Sequence, residues 1–286
     1  MHRNWLIVVV AAVAAGLALS CKDRTQTFQV KGVVQEVMPA RKQVKIKHEK
    51  IPDYMDAMTM VFDVKDGNEL TGLQPGDSVE FRMLVTEKDG WIDRLKKLNS
   101  APAPPPIESF RRVREVEPLS VGDKMPDYRF TNELGRAVSL GDYKGQAVAF
   151  TFIFTRCPFP TFCPRMSDNF SETIKRLKEM SSGPTNVHFL TITFDPAFDT
   201  PAVLKHYAER FHADPAYWNF LTGAMIDIDA ITEQFGFIFY REGTGLPSHN
   251  LRTIVIDAQG LVHHKFDQNE WTVEELVAQM VQAAKR

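Results

Sequence analysis

Cysteine is scarce in this chain. There are three in 286 residues, and one of them, Cys21, closes a hydrophobic N-terminal stretch. A structural disulfide framework has no material to be built from. An excess of charge of one sign is also missing. Lys and Arg number 34 against 36 Asp and Glu, a formal net charge of −2, so the basic excess of a nucleic-acid binder is absent. No apolar run reaches the ~20 residues of a membrane-spanning helix; the N-terminal one, residues 5–19, stops short. What the chain does have is 44% apolar residues, enough for packed cores, and a length that accommodates two domains.

Met1-His2-Arg3-Asn4 is a short positive start, and the length of the apolar stretch behind it suits the core of an export signal. The stretch ends in Leu17-Ala18-Leu19-Ser20-Cys21, which resembles a bacterial lipoprotein box, with Ala18 where that pattern usually has Leu. The resemblance implies that residues 1–20 are a lipoprotein signal peptide and that Cys21 carries lipid. The alternatives are ordinary cleavage and an uncleaved anchor. Each places the remainder on the exported, oxidising side of the bacterial cell envelope, facing the periplasm. A thiol pair there needs a thiol reductant to stay reduced.

Ser100-Ala101-Pro102-Ala103-Pro104-Pro105-Pro106 marks a boundary, because such a segment favours an extended, semi-rigid spacer. Arg111, Arg112 and Arg114 follow beside Glu115 and Glu117, a solvated connector rather than a lipid-binding patch. The linker is therefore set at 99–117, between domains at 27–98 and 118–286. Before it, five short alternating stretches (27–34, 42–48, 58–62, 78–85 and 91–95) predict a small five-stranded, OB-like β-barrel. After it, nearly all-apolar strands at 147–154 and 187–194 alternate with helices at 164–180, 200–211, 226–235 and 273–284. Asp199 or Thr200 is the cap of the second helix, and a strand–turn–strand lies at 253–266. That order predicts an α/β thioredoxin-like layer sandwich.

Cys157 and Cys163 lie in Thr155-Arg156-Cys157-Pro158-Phe159-Pro160-Thr161-Phe162-Cys163-Pro164, directly after the first buried strand and at the mouth of a helix. Helix N-termini and oriented N–H groups lower a thiol pKa, and only the thiolate is nucleophile or metal ligand. Three prolines make this a shaped loop, not a core where two cysteines act as inert hydrophobes. The pair is a soft-metal site, a redox site, or both. Together with Thr193-Phe194-Asp195-Pro196-Ala197-Phe198-Asp199-Thr200-Pro201, Tyr207-Ala208-Glu209-Arg210-Phe211, Trp218-Asn219-Phe220-Leu221-Thr222-Gly223 and Ser248-His249-Asn250, residues 118–286 resemble the Sco/SenC family of copper proteins. The resemblance implies copper, as Cu(I) or Cu(II), held by Cys157, Cys163 and His249. It also implies an acidic position at Asp195 that orients the site or merely ends a strand. One departure stands out: five residues separate the cysteines, where the family usually has three. Peroxiredoxins and thioredoxin-type oxidoreductases fit less well, with Phe154 in place of the former's Thr or Ser and Arg252 in place of the latter's proline.

In the first domain, Met55-Asp56-Ala57-Met58-Thr59-Met60 follows His48. Thioethers prefer Cu(I) and Ag(I), and Met58 and Met60, two apart on a strand, share a face. A barrel core filled with methionine is the alternative. Lys47-His48-Glu49-Lys50-Ile51-Pro52 with Ala57-Met58-Thr59-Met60 resembles the periplasmic CusF-type copper- and silver-binding domain. That implies His48, Met58 and Met60 as ligands, and Met55 as a further candidate where some members carry a tryptophan.

The sequence therefore reads as a membrane-tethered copper carrier, with enzymatic activity at the thiol pair left open. It captures copper and delivers it to an acceptor, by resemblance a cytochrome oxidase subunit with a copper centre. The rival is a thiol–disulfide oxidoreductase using Cys157 and Cys163 as a redox-active pair. Cys21→Ser should release the mature protein from the membrane fraction, since stable anchoring by lipid takes more than one acyl chain and Cys21 carries them all. Full membrane retention of that variant would identify an uncleaved helix instead.

Overall fold

The structure, a computed structural model, describes residues 25–98, 116–240 and 246–286. The export signal, Cys21 and most of the expected linker lie outside them. No helix among the described residues is long and apolar enough to cross a membrane.

The N-terminal region is a five-stranded antiparallel sheet. It contains β1 (Gln26–Met38), β2 (Gln43–His48), β3 (Met58–Asp63), β4 (Ser78–Val85) and β5 (Gly90–Lys97), in the order β3-β2-β1-β4-β5. Burial along β4 alternates strictly, the mark of a sheet with one covered face. Register shifts between Val34 and Glu36 and between Glu80 and Arg82 act as bulges that bend the sheet. The outer strands meet only at one isolated bridge, Val64 to Ile92, with Lys65 N–H donating to the Ile92 carbonyl at 2.9 Å. The sheet thus curls without the closing ladder of the expected barrel, because β3 ends at Asp63 and the chain turns away at Gly67–Leu70.

Register then places the candidate ligands. His48 sits opposite Met58, and Ile46 opposite Met60, across β2 and β3. Directly opposed residues of an antiparallel pair project to one face, so the imidazole and both thioethers share a side. His48 also faces Gly32 on β1. A methyl group at Gly32 would lie 2.5 Å from Ile46 Cγ2 and 2.7 Å from the Lys47 carbonyl, so a bare Cα there lets β2 approach.

The C-terminal region is a seven-stranded sheet in the order β14-β13-β8-β9-β10-β6-β7. The strands are β6 (Arg129–Asn132), β7 (Ala137–Ser139), β8 (Ala147–Ile153), β9 (Val187–Thr193), β10 (Trp218–Thr222), β13 (Arg252–Ile256) and β14 (Val262–Asp267). The parallel trio β8, β9 and β10 forms the centre, and every residue of the three is buried. Helices α1 (Cys163–Glu179), α2 (Pro201–Arg210), α3 (Met225–Gln234) and α4 (Val273–Ala283) complete the α/β sandwich. Buried Cys163, Met166, Phe170, Thr173 and Leu177 give α1 its inward stripe. Thr200, not Asp199, caps α2, accepting from Val203 N–H, with Pro201 in the first turn. The short strands β6, β7 and β10 have no counterpart in the sequence-based assignment. A two-stranded ribbon, β11 (Phe239–Tyr240) with β12 (Ser248–His249), lies beside the sheet.

The two regions touch. Tyr54 Oη donates to the Pro158 carbonyl at 3.0 Å, and Thr59 N–H donates to Ser248 Oγ at 2.7 Å. Phe159 packs edge-on against Phe62, centroids 6.0 Å apart, and Arg165 pairs with Asp89 at 3.0 Å.

Gly32→Ala should destabilise the β region by roughly 1–3 kcal/mol, the usual cost of overpacking. Gly67→Ala, whose methyl would meet only the flexible Lys42 side chain at 3.2 Å, should stay within about 0.5 kcal/mol. Urea unfolding of the two variants checks the contrast; equal midpoints would show that β1 and β2 have room to part.

Candidate metal centre

The first cluster forms where β8 gives out. Past Ile153 the chain turns, with Cys157 N–H donating to the Phe154 carbonyl at 3.2 Å, and α1 begins at Cys163 itself. Phe162 offers no side-chain cap, so the positive end of α1 lies at the cysteine. His249 arrives from β12. The two sulfurs and a ring nitrogen of His249 all lie within 4.8 Å of one another, with Cys163 Sγ 3.9 Å from Nε2. Both cysteines are free thiols. The longer spacer between them therefore does not keep the sulfurs apart.

His249 Nδ1 lies 2.7 Å from the Asn250 carbonyl. With Nδ1 against that carbonyl, Nε2 is the ring nitrogen left facing the sulfurs. Phe154, Phe162, Phe194 and Phe237 surround the imidazole, with centroids 4.9–5.9 Å away. This apolar wall sets the electrostatics. Burial pushes both thiols up. At Cys157 the hydrogen bond from Cys163 and the charge of His249 overcome it, and the thiol lies well below its usual range. At Cys163 burial and the neighbouring Cys157 sulfur act together and hold the thiol well above it. The two thiols are thus driven in opposite directions. Such a pair can attack a disulfide, close into one, or hold a soft cation.

Two aspartates fix the loop. Asp195, 4% exposed, accepts from Arg156 Nη2 at 2.6 Å, and the Arg156 guanidinium lies over the Phe198 ring at 4.1 Å. The acid at 195 therefore holds the residue before Cys157. Asp199 is buried and accepts from Thr155 N–H at 3.1 Å and from the hydroxyls of Thr155 and Thr193 at 2.5 Å. Burial pushes its carboxyl up, against those bonds. Sequence reasoning saw Asp199 only as a helix cap. Its place in an Asp-Thr-Pro helix start gave no sign that it ties β8 to β9.

The second cluster is on the β region. His48 is 1% exposed, and its Nδ1 lies 2.7 Å from the Glu49 carbonyl. Burial pushes its pKa down, only partly offset by that bond, so the ring is neutral. Its Nε2 is buried with no hydrogen-bond partner. An orphaned imidazole lone pair opposite Met58 fits a soft cation better than it fits a core. Met55, Met58 and Met60 are all buried. His249 and His48 thus share one device: Nδ1 lies against the next residue's carbonyl, and Nε2 is left for something else.

The clusters are not separate places. Met55, Met58 and Met60 line one cavity with Cys157 and His249. The sequence placed the residues of each set but gave no sign that the sets face each other.

Residues 117–285 match the family model described as SCO1/SenC, and residues 27–97 match that of the copper binding periplasmic protein CusF. A SCO1 protein homologue of Bacillus subtilis (strain 168) is 34% identical over 109 residues, which cover 38% of this chain and 49% of that protein. The match thus spans about half the length of that relative. The crystal structure of a SCO1/SenC family lipoprotein from Bacillus anthracis superposes with a TM-score of 0.51 at 28% identity, covering 56% of this chain and 95% of that one. The fold is shared with BsSco, described as a member of the Sco family of cytochrome c oxidase assembly proteins. There the TM-score is 0.50 at 24% identity, with 60% and 99% coverage. With more than half its length inside the family model, around a cysteine pair and a late histidine drawn together at one strand end, the chain belongs to the SCO1/SenC family.

Proposed function

We propose that this protein is an exported copper carrier with two binding sites. Residues 27–98 capture Cu(I) through His48, Met58 and Met60, with Met55 beside them. Residues 118–286 hold copper through Cys157, Cys163 and His249 and deliver it to the copper centre of a respiratory oxidase. The observation that carries this reading is the convergence of two sulfurs and an imidazole nitrogen within 4.8 Å, in a family described as cytochrome c oxidase assembly proteins. The orphaned Nε2 of His48 among three buried methionines supports the first site. Asp195, through Arg156, positions the loop. Tethering through lipid on Cys21, at the end of a removed signal 1–20, agrees with the lipoprotein character of a solved relative, and residues 99–117 serve as the linker.

Thiolates select Cu(I), and an added imidazole also suits Cu(II). The reduced chain should therefore take up about two Cu(I), and about one once Cys157 and Cys163 are joined as a disulfide, because oxidation consumes both sulfur ligands. Metal analysis after gel filtration of reduced and oxidised protein tests this. Met58→Ile with Met60→Ile should remove the remaining ion without unfolding the sheet, a swap of similar volume costing under ~1.5 kcal/mol. Undiminished silver binding in that pair would return these methionines to the core.

A second reading, thiol–disulfide exchange with a partner's cysteines, is favoured by the low pKa of the Cys157 thiol beside a second free thiol. The two differ at His249. As a copper ligand, His249→Ala should weaken Cu(II) more than Cu(I), since two thiolates hold Cu(I) alone. As an oxidoreductase, the chain should reduce insulin without metal and lose that activity in Cys157→Ser and Cys163→Ser, with His249 dispensable. Brisk insulin reduction with no copper uptake by the wild-type thiols would overturn the carrier assignment.

A further inference from the structure

The two ligand sets are pinned to each other by bonds between their immediate neighbours. Tyr54, next to Met55, donates to the carbonyl of Pro158, next to Cys157. Thr59, between Met58 and Met60, donates its N–H to Ser248, next to His249. A chain of edge-on or near edge-on rings runs from one histidine to the other: His48 to Phe62 at 5.8 Å, Phe62 to Phe159 at 6.0 Å, Phe159 to Phe162 at 5.7 Å and Phe162 to His249 at 5.9 Å. Between the sets lies one cavity of about 10 Å3, close to the smallest that holds a single water.

We propose that copper passes within one chain, from the thioether–imidazole set on β2 and β3 straight to the thiol pair on the loop before α1, through this shared cavity and without entering solvent. The inference rests on the copper reading of both sites given above. The cavity has room for a bare ion and not for an ion with a carrier, so movement is by ligand exchange between facing donors. The donors differ in the right sense. Neutral thioethers and an imidazole hold Cu(I) loosely, and thiolates hold it firmly. Copper remains Cu(I) throughout. Its bonds to methionine sulfur and His48 Nε2 break, bonds to the sulfurs of Cys157 and Cys163 form, and any thiol proton still on the pair is released to the buffer as its sulfur binds.

The docking also explains the long cysteine spacer. Phe159, the second of its five residues, is 2% exposed and seated over Gly90 of β5, where any Cβ would lie 2.6 Å from its Cζ. The additional loop residues therefore serve the contact with the β region.

The test uses the full chain, reduced and free of oxygen, mixed with the Cu(I)–bicinchoninate complex in a stopped-flow cell. The readout is the ultraviolet absorbance of the thiolate–Cu(I) bond. In wild type this signal should rise quickly. In Met58→Ile with Met60→Ile it should reach the same amplitude at least about tenfold more slowly, because the neighbouring donor that supplies a high local copper concentration is gone. Adding Gly90→Val, which displaces Phe159 and parts the regions, should make the rate indifferent to the two methionines; Tyr54→Phe is the milder variant should Gly90→Val fold poorly. Equal loading rates for wild type and the methionine pair would overturn the direct route. Copper counting on the same samples separates the failures. If the wild type takes about two Cu(I) and the rates are equal, only the route falls. If either site takes none, the copper reading of that site falls and the route with it.

Discussion

A charged sulfur in an apolar pocket has to be partnered, and at residue 157 that requirement organises its surroundings. Phenylalanines wall the cluster, and at Cys157 the hydrogen bonds and charge from Cys163 and His249 outweigh the burial that would raise the thiol. Those partners reach it from two directions. Cys163 is presented by the start of α1, and His249 by the ribbon strand β12. The loop between has to be held still from behind, which is what Asp195 does through Arg156 and Asp199 through Thr155. Removing water strengthens each electrostatic contact and makes an unpartnered group expensive. The aspartates, the aromatic wall and the sulfurs are consequences of one constraint.

The same constraint, without charge, governs His48. A buried imidazole stays neutral, and its tautomer follows from whichever nitrogen finds a partner. The carbonyl of the next residue takes Nδ1 at both His48 and His249. This local bond needs no tertiary partner, so the strand end alone decides which nitrogen is left over. What differs is the company: thioethers opposite His48, thiols opposite His249. The two sites therefore differ in their donors, and a soft monovalent cation would be held more firmly by the thiol sulfurs of the loop than by the thioethers of the β region.

Much of this was legible in the sequence, for definite reasons. Residues 147–153 are apolar on both faces, which marks a central strand, and the structure buries all of them. Thr200 and Pro201 announce a helix start, and α2 begins there. The alternation of 78–85 is a one-sided strand, found with the same limits. The residues of each cluster were nameable because the motifs around them resemble two copper-binding families; residue type alone left a methionine-filled core open. Less legible were features made by distant pairings. Asp199 reads as a cap because Asp before Thr-Pro commonly is one; only the fold turns its carboxylate onto Thr155. The five strands were visible, whereas whether β3 and β5 pair along a ladder depends on bulges at Glu36 and Arg82 that leave little trace in an alternating pattern.

The cysteine spacer shows most clearly what a sequence withholds. Taken within the C-terminal region alone, five residues between the sulfurs look like a departure that ought to loosen the site. Yet the sulfurs and His249 still converge. The additional length is used outside the region, where Phe159 is seated over Gly90 and against Phe62, and Pro158 accepts from Tyr54. Each of these partners is far away in the chain, and each lies in the unit that precedes the linker. A loop that is too long for its own site is long enough to reach another. Spacing within a motif therefore carries information about what the motif rests against as well as about its geometry, and that information becomes readable only once both regions are seen together.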